Sequence, residues 1–216
     1  MTRRRAVGRP PRISLSDIER VGVEIGLADL TVQRVAGALG VTSTALYRHI
    51  DSKFGLENVV GERILADLHL VDSSEHDTAE HLLSFAEQLR EFLLANPGLS
   101  AYVQVLFPRG RSGAALLEAE IEALVRRGYT PRAANLVCTT VALLAIALTS
   151  AEENRRNRAA MVPGFEHQQQ AAEALFETET LAEAHREFPN METEDYFRYV
   201  ISSCLHGILP STGAPA

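Results

Sequence analysis

The sequence predicts an all-α fold of nine or ten helices, and three observations support this fold class. Apolar residues recur at spacings of three and four in almost every segment, which is the period of a helix packed on one face. Segments with the strict alternation of a half-buried strand are scarce. Serine, threonine and glycine residues stand where helices would begin and end. With 216 residues, the chain is long enough for one or two domains with a sizeable core.

The first predicted helix follows an arm, residues 1–13, whose Arg, Pro and Gly content predicts a flexible basic segment. Ser16 is expected to cap the helix, and Glu19 three residues later would complete a capping box. Its apolar face is predicted to comprise Ile18, Val21, Val23, Ile25 and Leu27.

Two short helices and one longer helix are predicted next. Thr31 and Thr42 stand where N-caps are expected, and Gly40 stands where a left-handed helix exit is expected. The predicted helices span 32–39, Ser43 to about Ile50, and about Lys53 to Leu70.

The rest of the chain predicts further helices separated by turn residues. PRGRSG (108–113) should form a loop, and the charged stretch 154–167 should form a connection. The predicted helices cover 79–95, 99–107, 114–127, 131–153, about 168–186, and Thr193 to about Leu209.

Charge is distributed unevenly along the chain. Residues 1–53 contain nine basic and five acidic side chains, for a net charge of +4, whereas 54–216 contain twelve and twenty-three, for −11. A basic head on an acidic body is expected if only the head meets a polyanion such as a nucleic acid.

Membrane insertion and secretion are not expected. No uninterrupted apolar run of eighteen residues is present, and no apolar stretch follows the N-terminal arginines. Cys138 and Cys204 lie far apart in apolar helical patterns, which predicts buried free thiols in a reducing cytosol. The expected location is therefore the cytoplasm.

The two short helices and the glycine turn between them form the pattern of a helix-turn-helix. The two helices should touch through Val35, Ala36, Leu39, Val41 and Leu46. The second helix would then present Ser43, Thr44, Tyr47 and Arg48 outward. Such hydrogen-bonding side chains reach phosphates and base edges in a major groove, so this helix is interpreted as a recognition helix.

Residues 31–53, TVQRVAGALGVTSTALYRHIDSK, resemble the DNA-binding segment of the tetracycline-repressor (TetR) family of bacterial regulators. The resemblance extends over about 12–68, with Ile50 where an aromatic residue is common and Gly61 as an unusual residue within a helix. It is carried by Thr31, Ala36, Leu39-Gly40-Val41, Leu46-Tyr47-Arg48-His49 and Lys53. It implies that DNA backbone or bases are contacted by Thr31, Thr42, Ser43, Thr44, Tyr47, His49 and Lys53.

The basic arm is a second candidate DNA contact, through Arg3, Arg4, Arg5 and Arg9. Its Gly8-Arg9-Pro10 core is similar to an AT-hook, in which an extended arginine enters a narrow minor groove. A solvated tail that only aids solubility is the alternative. DNA binding by the head would associate the protein with the nucleoid.

The domain organisation implied by the resemblance has three parts: the arm (1–13), a helix-turn-helix domain with its linking helix (14–70), and a helical effector-binding and dimerisation domain (71–216). A symmetric operator calls for a homodimer. The helices over 131–153 and 193–209 are the expected dimer faces, although they would also suit a monomer core. Candidate interface residues are Leu143, Ala147, Tyr199, Ile201 and Leu205.

A ligand-responsive regulator would also need an effector pocket. The sequence favours a small apolar or amphipathic effector, because no body histidine clearly matches the family's metal-linked drug site. Plain core packing is the alternative for each pocket candidate. These candidates are Phe85, Leu89, Tyr102, Leu106, Leu117, Ile121, Thr140 and Leu144.

The sequence gives little support to an enzymatic function. HDTAEH (76–81) pairs His76 with Glu80 and Asp77 with His81, but the spacing fits no metalloprotease pattern. No phosphate-binding loop or nucleophile elbow is present, so no metal, cofactor or catalytic residue is expected.

The expected function is a ligand-responsive transcriptional regulator, most simply a repressor that a small molecule releases from a palindromic operator. Two alternatives remain: a helical small-molecule-binding or scaffold protein with vestigial DNA binding, and a nonspecific nucleoid-type binder.

Overall fold

The computed structural model describes residues 13–106, 110–165, 167–168, 178–187 and 192–212. Over these ranges the chain forms ten α-helices and no strand, which confirms the all-α prediction. A 3-10 turn, Leu27–Asp29, lies between α1 and α2. The helices are α1 Leu15–Ile25, α2 Val32–Ala38, α3 Ser43–Leu46, α4 Lys53–Leu65, α5 Thr78–Ala95, α6 Leu99–Leu106, α7 Arg111–Arg126, α8 Pro131–Met161, α9 Glu179–Glu187 and α10 Thr193–Ser211.

The chain divides into two compact units. The first unit contains the residues up to His69 together with Asn96–Ala114, and the second contains Leu70–Ala95 and Ala115–Ala216. One division lies between His69 and Leu70, and the sequence placed its domain boundary between residues 70 and 71. Residues 96–114, however, group with the first unit, although the sequence assigned them to the body.

In the first unit, α1 packs against α2 and α4, and α2 packs against α3. The core contains Ile18, Val35 and Leu46, each fully buried. Val23, predicted to lie on the apolar face of α1, is exposed instead. The buried positions of α1 are Ile18, Val21 and Gly22, whose spacing of three and four is that of one helix face.

The cap of α1 is Ser14, not Ser16 as the sequence predicted. The Asp17 backbone N–H donates to the Ser14 hydroxyl at 3.2 Å, and the Ser14 N–H donates to the Asp17 carboxylate at 2.9 Å. These contacts form a capping box two residues earlier, with Asp17 in place of Glu19. The hydrogen bonds from Ser14 also hold the pKa of Asp17 below its usual value.

The recognition region forms a shorter helix than predicted. The caps at Thr31 and Thr42 and the left-handed Gly40, with φ of 66°, are confirmed. However, α3 ends at Leu46, and the chain continues through turns rather than as a helix to Ile50. Helix α4 likewise ends at Leu65 instead of Leu70.

In the second unit, α8 is the central helix and packs against α5 and α10. It extends to Met161, so the predicted connection over 154–161 is wrong. Arg and Ala in this segment are strong helix formers, and the helix can continue in solvent beyond its buried part. Residues 111–113, predicted as loop, likewise belong to the first turn of α7.

Helix α8 is long and apolar enough, by length and composition, to cross a membrane, although polar residues interrupt its apolar runs. Half of its most apolar stretch is buried within the chain. Its packing against α5 and α10 explains the apolar composition as that of a core helix.

The two cysteines differ in burial. Cys138 is fully buried, as predicted, and burial raises the pKa of its thiol to about 12. Cys204 is only partly buried, so the prediction of a buried thiol is wrong for this residue.

Two polar clusters lie inside the second unit. Arg90 of α5 donates through two nitrogens to the Glu152 carboxylate of α8, both at 3.0 Å, and lies 5.4 Å from the centre of the Phe197 ring. Buried His81 lies between two carboxylates, with Nε2 3.0 Å from Glu120 and Nδ1 3.1 Å from Asp72. Among the described residues, no group of three or more His, Cys, Asp or Glu side chains has the arrangement of a metal site.

Candidate DNA-binding surface

The segment from Thr42 to Ile50 has one buried side and one exposed side. Leu46 is fully buried and Ile50 is 4% exposed, so these two residues anchor the segment on the core. The exposed side carries Thr42, Thr44, Tyr47, Arg48 and His49, and Ser43 is half-buried. All the predicted recognition residues of this segment except the half-buried Ser43 are therefore exposed to solvent.

Thr31 and Thr42 hold the starts of the two short helices. Their hydroxyl oxygens accept hydrogen bonds from the backbone N–H groups of Arg34 (3.1 Å) and Ala45 (3.3 Å). Each hydroxyl retains its own O–H as a donor, which suits a phosphate oxygen. The same two side chains can therefore fix the helices and contact DNA.

Two cations flank the exposed surface. Arg48 is exposed and forms no ion pair within the described part of the chain. Lys53, at the start of α4, is exposed and lies 3.2 Å from Glu57 one helical turn away. Exposed ion pairs of this kind contribute little to stability, so this pair leaves Lys53 available for a phosphate.

Phe54 lies next to Lys53 and is half-exposed, at 51%. The sequence did not single it out, because an aromatic residue in a helical pattern normally predicts core. Its place in the first turn of α4, two residues after the exposed cap Ser52, was the available signal. The arm residues Arg3, Arg4, Arg5 and Arg9 lie outside the described residues, so their role stays a prediction.

Helices α4 and α6 meet closely within the first unit. A Cβ atom at Gly61 would lie 2.5 Å from the Tyr102 ring, so only glycine admits that ring. The Tyr102 hydroxyl donates to Asn58 at 2.9 Å, and burial raises its pKa. Glu62 accepts from the Ser112 backbone N–H at 2.8 Å.

The effector candidates are distributed over both units. Phe85 and Leu89 are buried in the second unit and Tyr102 in the first, whereas the side chain of Leu106 lies outside the described residues. The remaining candidates are part-buried: Leu117, Ile121, Thr140 and Leu144. The Thr140 hydroxyl donates to the Leu136 carbonyl at 2.8 Å, so its O–H is already engaged and is less available to donate to a ligand.

A cavity of about 330 Å³ lies between α5 and α10 in the second unit. Its walls are largely apolar, and it falls at the lower end of the size range of small-molecule sites. Leu205, predicted at the dimer interface, forms part of its wall instead. The lining residues are Ala79, Glu80, Leu83, Ser202, Leu205, His206, Leu209 and Pro210.

The predicted interface residues differ in exposure. Leu143, Ala147 and Tyr199 are exposed on α8 and α10, two helices that pack against each other. Ile201 and Leu205 are buried within the chain, so a second copy could not contact them directly. Leu136, 55% exposed and two turns before Leu143, adds an apolar residue to the same side of α8.

Comparison with known proteins reveals a local sequence match and a nearly complete structural match. No family model matches the chain. The nucleoid occlusion factor SlmA of Shewanella pealeana is 33% identical over 75 residues, which span 33% of this chain and only 38% of SlmA.

Solved structures match almost the whole chain. The TetR family protein ActR of Streptomyces coelicolor, in complex with actinorhodin, superposes with a TM-score of 0.77 at 18% identity, covering 94% of this chain and 99% of ActR. A possible TetR family transcriptional regulator from Streptomyces coelicolor A3(2) gives a TM-score of 0.71 at 22% identity, covering 91% and 97%. The chain has the fold of the TetR family of transcriptional regulators, as the resemblance of residues 31–53 implied.

Proposed function

We propose that the protein is a ligand-responsive transcriptional regulator that binds a palindromic operator as a homodimer, most simply as a repressor. The observation that carries this proposal is the exposed surface formed by Thr42, Thr44, Tyr47, Arg48 and His49. These side chains supply hydroxyl donors, a cation and an imidazole beside a short helix anchored by Leu46. Such groups are suited to phosphates and base edges in the major groove.

Dimerisation is supported by the exposed side of α8 and α10. Leu136, Leu143 and Tyr199 are each about half exposed on two helices that pack against each other, and burying these side chains would stabilise a pair of chains. A dimer would present two recognition surfaces to two half-sites, as palindromic operators require.

Effector binding is supported by the fold and by the apolar cavity of the second unit. ActR was solved with the small molecule actinorhodin, and this chain shares its fold. We propose a small apolar or amphipathic effector, since the described cavity walls are largely carbon. A coupling free energy of about 1–3 kcal/mol between effector and operator would be enough to regulate. A cytoplasmic location at the nucleoid follows from this function.

The experiment that tests the function is selection of genome fragments by the purified protein, followed by footprinting of the preferred fragment. A regulator should protect a palindrome of about 15–30 base pairs. Protection without a preferred sequence would contradict the proposal and favour a nonspecific binder. Absence of DNA binding at low salt would favour a ligand-binding or scaffold protein.

A further inference from the structure

The turn between α5 and α6, Asn96–Gly98, contacts the 3-10 turn Leu27–Asp29 through backbone atoms. The Ala28 N–H donates to the Pro97 carbonyl at 3.1 Å. Gly98 has a φ of 87°, and a Cβ atom there would lie 2.6 Å from the Ala28 nitrogen. Glycine is therefore required at position 98 for two independent reasons: its backbone conformation and the absence of space for a side chain.

The 3-10 turn is in turn fixed to the start of α2. Arg34 donates from Nη1 to the Asp29 carbonyl at 3.1 Å and pairs with the Asp29 carboxylate. The Arg34 backbone N–H is held by the Thr31 hydroxyl. Leu30, between these contacts, is 4% exposed. A displacement of the 3-10 turn would therefore displace the first turn of α2.

The recognition segment is hydrogen-bonded to α2 and packs against it, so a shift of α2 would shift this segment too. The Val41 N–H donates to the Ala36 carbonyl at 2.9 Å across the Gly40 turn, and α2 packs against α3. Val35 of α2 and Leu46 of α3 are both fully buried. A continuous series of short contacts thus leads from Pro97 to the exposed surface at 42–49.

We propose that the Asn96–Gly98 turn positions α2 and α3 for DNA recognition, with Pro97 and Gly98 as positioning residues remote from the DNA. This inference rests on the proposed function. The turn directly continues α5, whose residues up to Ala95 belong to the second unit. The end of α5 is therefore linked to the recognition helices through the 3-10 turn, independently of the contact between α4 and α6.

The first test is hydrogen exchange on the full chain carrying Gly98→Ala. The clash with Ala28 should break its hydrogen bond to Pro97, so exchange over 27–35 should rise about tenfold. Gly164→Ala is the matched control, because Gly164 has a φ of 78° but no atom within 4 Å of an added Cβ. The control should leave exchange over 27–35 unchanged.

The second test compares the affinity of each variant for the selected operator fragment with its affinity for an unrelated duplex of equal length. Both affinities are measured well below the melting temperature of the variant. Under these conditions Gly98→Ala should lower the ratio of specific to nonspecific affinity about tenfold. General destabilisation would instead raise exchange equally across α1, α2 and α4. That outcome, or an unchanged ratio with unchanged exchange, would overturn the positioning role.

Pro97→Gly provides a milder variant if Gly98→Ala does not fold. It keeps the carbonyl that accepts from Ala28 but removes the ring that fixes the turn. Exchange at the Ala28 amide should rise, and operator preference should fall by a smaller factor than in Gly98→Ala. If the parent protein prefers no sequence, the proposed function fails. The exchange data, which need no DNA, then decide whether the turn holds α2.

Discussion

At the scale of single residues, two threonines among the DNA-contact candidates combine a helix-capping role with a proposed DNA contact. Thr31 and Thr42 accept backbone hydrogen bonds that begin α2 and α3, and their O–H groups remain free to donate. Replacing either threonine therefore changes helix stability, by about 1 kcal/mol, as well as any DNA contact. Exposed residues without a capping role give cleaner tests of DNA binding.

Lys53→Ala is the first such test. The change should weaken binding to operator and unrelated DNA alike, because the contact proposed for Lys53 is with a phosphate, which every sequence carries. The slope of log affinity against log salt should fall by about one unit. Titrations at several salt concentrations measure both quantities.

Arg155→Ala is the matched charge control for Lys53→Ala. Arg155 is an exposed cation near the end of α8 in the second unit. Its removal should leave the salt slope unchanged. Equal slopes for the parent and Lys53→Ala proteins would show that Lys53 does not contact phosphate.

Asp72 gives a prediction about acid stability. Hydrogen bonds from Arg127 and Arg126 hold the pKa of Asp72 well below its ordinary value of 3.8. A carboxyl whose folded pKa is lowered stabilises the fold above its unfolded pKa, and this contribution is lost as the pH falls through the folded value. Asp72→Asn should therefore lower the melting temperature at pH 7, and the difference should shrink below about pH 4.

Asp51→Asn is the control for that measurement. Asp51 is exposed and has no ion pair among the described residues. Its melting temperature should follow that of the parent at every pH. A constant difference for Asp72→Asn from pH 7 to pH 3 would mean that the Asp72 charge does not stabilise the fold.

Sequence reasoning found most of the exposed candidate surface but not the contacts that position it. Thr42, Gly40 and Leu46 are local signals, since caps, turns and buried positions depend on neighbours within a few residues. The contact of Gly98 with Ala28 joins residues seventy positions apart, and no local pattern encodes it. Gly61 appeared as an oddity in the sequence, and the Tyr102 ring supplies its physical reason.

At the scale of helices, α8 depends on a buried ion pair with α5. Glu152 is 3% exposed and accepts two hydrogen bonds from Arg90. Glu152→Ala should lower the free energy of unfolding by about 3–5 kcal/mol, because it leaves the Arg90 charge buried without its partner. Denaturant titration measures the change.

A double variant separates the ion pair from simple packing. Arg90→Met combined with Glu152→Leu removes both charges and should recover much of the stability lost in Glu152→Ala. An exposed substitution on the same helix, Arg155→Ala, should change the stability by less than about 0.5 kcal/mol. A loss of that small size for Glu152→Ala would contradict a structural role for the pair.

Helix ends were harder to predict than helix centres. The sequence placed the end of α8 near residue 153, because a charged stretch usually signals a connection. The helix continues to Met161, since Arg and Ala favour helix even without a buried face. Conversely, α3 ends at Leu46 although the apolar spacing through Ile50 suggested a longer helix.

At the scale of the whole molecule, the proposed dimer gives the next prediction. Leu143→Asp would place a carboxylate in the apolar contact between chains and should convert a dimer to a monomer. Light scattering should give about twice the chain mass of 23.6 kDa for the parent and one chain mass for the variant.

Leu181→Asp is the control for the dimer, because Leu181 is also exposed, on α9. Its mass should equal that of the parent. A monomeric parent at micromolar concentration, or a dimeric Leu143→Asp variant, would contradict dimerisation through α8 and α10.

The fold class followed from periodicity, whereas the grouping of the chain into units did not. The change in net charge lies at residue 53, before the division at His69 and Leu70. The return of 96–114 to the first unit depends on Tyr102 seated on Gly61 and on Ser112 bonded to Glu62. These contacts are long-range in sequence, so only the folded chain reveals them.

The interrupted first unit has a practical consequence for exchanging heads between related regulators. A chimera that transplants only residues 1–69 would place a foreign α5–α6 turn against Ala28, a foreign α6 against Gly61 and a foreign start of α7 against Glu62. In this chain Gly61 accommodates the Tyr102 ring, Glu62 accepts from the Ser112 N–H, and Ala28 contacts the Gly98 turn. Another sequence would not place the same groups at these three positions. A graft that carries 96–114 along with 1–69 would keep both halves of every contact, and so transfer DNA specificity as an intact module.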